Sequence, residues 1–260
     1  MIDEVKRILN AETCMICGSH AKDNLLRQVD LLRIGSLRKF AQVETKNEKC
    51  LNEIQSCFCR SCLSMLPILT YNKFWQSDKK HIQVMSIFSY ENPIKPLIIQ
   101  LKFYQKHYLA KFLSVFIFLI RQNYLQENTN SIFVPIPLHQ NRFKERGYNQ
   151  SELIALEISR LTGIKYDNKI LLRTKNTNRQ TETKNYEDRL RNMKDAFVLD
   201  ETYLLENIDL FSKKRIILID DVLTTGSTIE SAASPLISKG FEVAAITIAR
   251  EDLNYFRLHD

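Results

Sequence analysis

Glycine is scarce in this chain: six in 260 residues, at positions 18, 35, 147, 163, 226 and 240. None opens a loop closing on Gly-Lys-Ser/Thr, which excludes the phosphate loop of P-loop nucleotide hydrolases. Long apolar runs are missing too. The most apolar stretch, Phe112 to Ile120, is bounded by Lys111 and Arg121; it is far shorter than the roughly 20 residues of a membrane-spanning helix and reads as part of a buried one. The opening Met-Ile-Asp-Glu-Val-Lys-Arg lacks an apolar stretch behind a basic start, so no secretory leader is expected and the chain is expected to be cytoplasmic. Disulfides are rare in that compartment, so the six cysteines read as metal ligands or free thiols. There is one tryptophan, at 75, and no internal repeat or low-complexity tract.

What is present is enough for one large domain, or for one domain with an appendage. The apolar fraction of 44% is ordinary for a globular protein. The net charge of +7 is unevenly spread: residues 139–195 carry 13 Lys/Arg against 8 Asp/Glu. A concentrated surplus points to an anionic ligand, either a polyphosphate or a nucleic acid.

The most informative segment runs from Ile216 to Thr228, Ile-Ile-Leu-Ile-Asp-Asp-Val-Leu-Thr-Thr-Gly-Ser-Thr. Four unbroken apolar residues, Ile216 to Ile219, predict a strand buried on both faces, as in a parallel sheet. Asp220 and Asp221 stand at its carboxyl end, followed by Thr224, Thr225, Gly226, Ser227 and Thr228 and then a helical pattern. Open α/β sheets bind ligands at the carboxyl ends of strands, with anions on the following helix N-terminus. Backbone N–H groups and the four hydroxyls suit a 5′-phosphate, and the carboxylates suit vicinal ribose hydroxyls. The segment resembles the phosphoribosyl-pyrophosphate (PRPP) motif of type I phosphoribosyltransferases.

Other segments extend this reading. Residues 131–137 predict a strand stopped by proline, followed by Arg142, Arg146 and Gly147; arginine's planar fork of donors matches phosphate oxygens. The polar stretch holding Arg173, Lys175, Thr177, Arg179, Gln180, Arg189 and Arg191 reads as a lid over a polyphosphate. In the N-terminal third, Cys14-x2-Cys17 and Cys59-x2-Cys62 supply four thiolates for a structural zinc. The 41 residues between the pairs exceed the roughly 15 to 20 of a compact ribbon. Cys57 is near enough to replace Cys59, and Cys50 is spare.

Composition turns polar around residues 68–82, which sets an expected boundary between a cysteine-rich domain, 1–80, and a second domain, 81–260. There, strands are expected at 84–90, 131–137, 170–172, 196–199, 214–221 and 242–249. Helices are expected at 93–104, 109–125, 149–161 and 228–239. Such alternation predicts an α/β fold, a mostly parallel sheet with helices on both faces.

Together these pieces resemble the ComF family of competence-associated proteins, members of the type I phosphoribosyltransferase fold. The matching residues are the two cysteine pairs, Lys102-Phe103, Val134-Pro-Ile-Pro-Leu, Arg142, and the run Glu145-Arg-Gly-Tyr-Asn-Gln150. Arg173, Thr177, Gln180, Arg189, Asn192, Phe197 and the Asp220-Asp221 motif complete the set. Two departures stand out. No third cysteine pair follows Cys62, so at most one zinc is expected, and Lys102-Phe103 continues as Tyr104-Gln-Lys106 where relatives often have Gly-Asp. The resemblance implies PRPP binding with Mg²⁺ and a role in DNA uptake during natural transformation, with single-stranded DNA and uptake proteins at or near the inner membrane as partners. Phosphoribosyl transfer would place Asp220, Asp221, Arg142 and Arg146 at the reacting centre, but no residue presents itself as general base for an acceptor. The alternative is a non-catalytic module binding single-stranded DNA or protein, with Tyr148 or Tyr186 stacking on bases.

Overall fold

The computed structural model describes residues 14–19, 58–69, 75–76, 82–174 and 196–251. Its centre is a six-stranded sheet. In chain order the strands are β1 (Trp75–Gln76), β2 (Gln83–Ser89), β3 (Ser131–Pro135), β4 (Lys165–Tyr166), β7 (Arg215–Leu223) and β8 (Val243–Arg250), arranged spatially as β1-β2-β8-β7-β3-β4. β1 is antiparallel to β2 at the edge, and the other five strands run parallel. The fold is therefore α/β. The apolar run of β7 does what a doubly covered parallel strand requires: Ile217 and Ile219 enter one core, Ile216 and Leu218 the other.

The first core lies under α2 (Ile94–Phe103), α3 (Tyr108–Glu127) and α5 (Gln150–Thr162). The second lies under α8 (Ser227–Ser238) together with α6 (Glu201–Glu206) and α7 (Ile208–Phe211). α5 shows local rules agreeing with the fold. Asn149 caps it by accepting from the Ser151 N–H at 3.1 Å, Glu152 sits in its first turn and Arg160 in its last, and Gly163 closes it at φ 76°.

Several expectations change. Arg121, taken as a polar flank of the apolar run, is fully buried at a kink in α3 and donates to the Ser86 carbonyl at 2.7 Å. The segments expected at 170–172 and 196–199 become β5 (Leu171–Arg173) and β6 (Phe197–Leu199), which pair antiparallel with each other, outside the main sheet. They are the two legs of the expected lid, whose Lys175, Thr177, Arg179, Gln180, Arg189 and Arg191 lie outside the described residues. The loop after β3 contains a helix, α4 (Gln140–Arg146), that the sequence reading missed, as it did α6, α7 and β4.

The cysteine segment is tied to the sheet. In front of the helix α1 (Arg60–Ser64), Phe58 packs edge-on to Phe112 and Phe116, and Leu63 and Leu66 join the first core. The Leu69 N–H bonds the Ile87 carbonyl at 2.9 Å, and the Ser89 N–H bonds the Pro67 carbonyl at 2.8 Å. The boundary expected at residues 80 and 81 falls outside the described residues.

Candidate functional site

The carboxyl ends of β3 and β7 converge on the start of α5 and α8, and the motif residues meet there. Gly226 takes φ 80°, a conformation that L side chains rarely adopt, and so turns the chain into α8 as its N-cap without a side-chain capping bond. The first-turn N–H groups of α8 are the donors a helix start leaves for an anion. Thr225 and Ser227, both buried, share a hydroxyl hydrogen bond of 3.0 Å, while Thr224 and Thr228 are half-buried beside them.

Asp221 is 4% exposed, whereas Asp220 is only half-buried. Lys102 Nζ, from the last turn of α2, pairs with Asp221 Oδ1 at 2.7 Å, and Gln150 Nε2 donates to its Oδ2 at 2.6 Å. Asp220 Oδ1 accepts from Ser151 Oγ at 3.0 Å and from the Asp221 N–H at 2.9 Å. Burial and then the charge of Asp221 push the Asp220 carboxyl up to about 7; the Asp221 N–H, Lys102 and Ser151 oppose them.

Three arginines lie near the acidic pair. Arg146 Nη1 donates to Gln150 Oε1 at 2.9 Å, and its guanidinium lies 4.7 Å from the ring centre of Phe103. Arg173, at the end of β5, stacks over Phe197, and burial followed by the charge of Arg142 lowers its pKa while Asp220 raises it. Arg142, Arg173 and Asp220 are thus within electrostatic reach of one another. Of the residues expected at the site, Asp220, Asp221, Thr224 to Thr228, Arg142, Arg146 and Arg173 come together; Arg179, Gln180 and Arg189 lie outside the described residues. Tyr148 is not available for stacking: it is buried, its hydroxyl donates to the Leu101 carbonyl, and its ring meets His107 edge-on. Tyr186 lies outside the described residues. Sequence reading assigned no role to Lys102, Gln150 or Ser151, although Lys102 and Gln150 fell within the motifs it matched.

A second cluster lies at the cysteines. The Sγ atoms of Cys14, Cys17, Cys59 and Cys62 all lie within 4.8 Å of one another. Sulfur atoms about 2.3 Å from a tetrahedral zinc sit about 3.8 Å apart, and Cys17 Sγ and Cys59 Sγ are 3.7 Å apart. The Cys14–Cys17 turn is closed by the Gly18 N–H on the Cys14 carbonyl at 2.8 Å, and Cys59 is the N-cap of α1. A hydrogen bond with Ser19 lowers the Cys17 thiol to about 6, whereas burial and then the neighbouring cysteines push the Cys62 thiol up. The four thiols fit a structural metal such as zinc. Cys59 stands in this cluster; Cys57 and Cys50 lie outside the described residues.

Among the described residues no helix is long and apolar enough to cross a membrane. No family model matches the chain. Individual proteins do. The chain is 30% identical over 198 residues to Competence protein F of Haemophilus influenzae, covering 74% of this chain and 79% of that protein. It is likewise 30% identical over 189 residues to the DNA utilization protein YhgH of Escherichia coli K12, covering 70% and 72%. Competence protein ComFC of Streptococcus pneumoniae is 25% identical over 236 residues, covering 87% and 94%. With two such relatives matched over more than two thirds of their length, the chain belongs to the ComF family of competence-associated proteins.

Proposed function

We propose that this protein binds PRPP at the carboxyl end of the sheet and acts in DNA uptake during natural transformation. One observation carries the PRPP reading: an aspartate pair lies near the carboxyl end of β7, close to a helix start that no side chain caps, with Thr224, Thr225 and Gly226 forming the turn between strand and helix. The loop and the α8 N–H groups would take the 5′-phosphate, the aspartate pair would form the ribose end of the site, and Arg142, Arg146 and Arg173 would take the pyrophosphate. Hard oxygen donors suit Mg²⁺, which would enter on the pyrophosphate's own oxygens and offset its charge. The protein's task is then to orient the ribose and hold the leaving group; among the described residues no base is placed for an acceptor, so binding and transfer are separate questions. The names of the relatives support the role in competence and DNA utilization.

Calorimetric titration of PRPP with Mg²⁺ tests the site. Saturable binding by the wild type, lost in the Asp220→Asn, Asp221→Asn variant, is expected. No binding by folded wild type, or equal binding by the folded variant, removes the reading. Release of pyrophosphate on adding purine or pyrimidine bases would then identify a transferase.

A nucleic-acid partner is favoured by the rim. Phe103, Tyr104 and Phe143 are exposed by 56%, 65% and 47% among Lys106, Lys144 and Arg146. Aromatic platforms set among cations are what single-stranded DNA uses for stacking and phosphate contact.

A further inference from the structure

The two carboxylates of the acidic pair face different partners. Both oxygens of Asp221 are engaged by the protein, Oδ1 by Lys102 and Oδ2 by Gln150. Asp220 has only its Oδ1 engaged; its Oδ2 has no hydrogen-bond or ion-pair partner among the described residues. Asp220 is also the more exposed of the two. We propose that Lys102 is the built-in counter-ion of the acidic pair: with Gln150 it holds Asp221 as a protein-facing carboxylate and leaves Asp220 as the one that meets a ligand's hydroxyls. The inference rests on reading this pair as the ribose end of the site.

The fold delivers Lys102 firmly. Leu101, its neighbour on α2, is fully buried, and its carbonyl is pinned by the Tyr148 hydroxyl, so the last turn of α2 is fixed against the start of α5. A cation there complements the helix dipole. Gln150 is held in turn by Arg146, which orients its amide so that nitrogen faces Asp221. The connected groups are therefore Arg146, Gln150, Asp221 and Lys102, with Asp221 held from both sides.

The chemical consequence falls on Asp220. Two adjacent carboxylates repel each other, and a site for an anionic sugar phosphate can ill tolerate a net charge of two. Lys102 cancels one of them from within. The groups facing Asp220 are Asp221 on its own strand, Lys102 from α2, Ser151 from α5 and Arg173 from β5, with Arg142 of α4 acting on Arg173. Lys102 opposes the rise in the Asp220 pKa, so its removal drives that pKa further up. A role confined to packing would leave the titration where it is.

Two measurements on the full chain decide the matter. The first needs no ligand: carbon-13 NMR of the aspartate side chains, followed against pH in the wild type, Lys102→Met and Lys102→Arg. The Asp220 titration is expected to move clearly upward in Lys102→Met and to return toward the wild-type value in Lys102→Arg. A folded Lys102→Met whose Asp220 titrates as in the wild type overturns the counter-ion role. The second is PRPP titration of Asp220→Asn against the charge-balanced pair Lys102→Met with Asp221→Asn, which leaves no buried charge orphaned should the single variant fail to fold. Losing a charge-assisted contact to a ligand hydroxyl costs about tenfold or more in affinity. Asp220→Asn is expected to lose at least that much, and the balanced pair clearly less. Equal losses overturn the division of labour. If the wild type binds no PRPP, the ribose reading fails, while the ligand-free titration still decides what Lys102 does.

Discussion

Asp220 carries a stability cost in the ligand-free fold. Its carboxyl, with an ordinary value of 3.8, is held at about 7 by burial and by the charge of Asp221. The folded protein therefore binds this proton more tightly than the unfolded chain does, and linkage makes stability fall as pH rises through the window between those values. Asparagine at 220 keeps the shape and removes the titration. In the ligand-free protein, Asp220→Asn is expected to melt at a higher temperature than the wild type at pH 8. That gap should grow from about pH 4 and level off above about pH 7. Thermal denaturation across pH 4 to 8 checks it. A variant that melts below the wild type at pH 8 would mean that the bond from Ser151 and the Asp221 N–H outweighs the buried charge. Residues that are stabilising to replace and damaging to activity are characteristic of binding sites.

At the scale of the element, what the sequence made legible and what it hid divide along a physical line. β7, α5 and α8 are announced by their own residues: a doubly buried apolar run, an Asn cap with acidic first turn and a glycine stop, and a hydroxyl-rich turn before a helical pattern. α4 was missed because no residue in it is buried, so it carries no apolar stripe to read. α6 had a signal that went unread, since Asp200 accepts from the Tyr203 N–H at 2.9 Å and Glu201 follows it. Lys102 was beyond reach by any local rule: its partner is 119 positions away on β7, and only the tertiary fold brings the end of α2 beside that strand.

The same exposed α4 supplies part of the aromatic and basic rim proposed above to meet nucleic acid. Phe143 and Arg146 are three apart and so neighbours on one face, and Arg146 bridges to Phe103 at the end of α2. Replacing Phe103, Tyr104 and Phe143 with alanine removes exposed side chains and should leave the melting temperature nearly unchanged. Stacking contributes about 1–3 kcal/mol per base, so affinity for an oligo-dT strand is expected to fall at least tenfold. The wild type should also lose affinity steeply with salt. Fluorescence anisotropy with a labelled oligonucleotide reads both, and an unchanged affinity in the triple variant would place any DNA contact elsewhere.

For the whole molecule, the question is whether the four-cysteine cluster is an accessory or part of the structure. Its packing answers in favour of the second. Phe58, one residue before Cys59, touches Phe112 and Phe116 of α3, and Leu63, one residue after Cys62, is completely buried in the core shared with β2, β7 and β8. Main-chain bonds from residues 67–69 to β2 add a second attachment. Structural zinc contributes folding energy directly, on the order of 10 kcal/mol in isolated finger peptides. Part of that should pass into the sheet here. Calorimetric melting of the zinc-loaded full chain is expected to show one transition across the cysteine segment and the sheet. Stripping the metal with a chelator under reducing conditions, or replacing Cys62 with serine, should lower that transition by about 10 °C, given about 2–4 °C per kcal/mol for chains of this size. An independent appendage behaves differently: a small transition disappears and the main one stays in place. That second outcome would detach the cysteine cluster from the energetics of the sheet. The first would make metal supply a condition for the ligand site itself, because α3 packs both on Phe58 and, through the Ser114 hydroxyl on the Ile154 carbonyl, on α5.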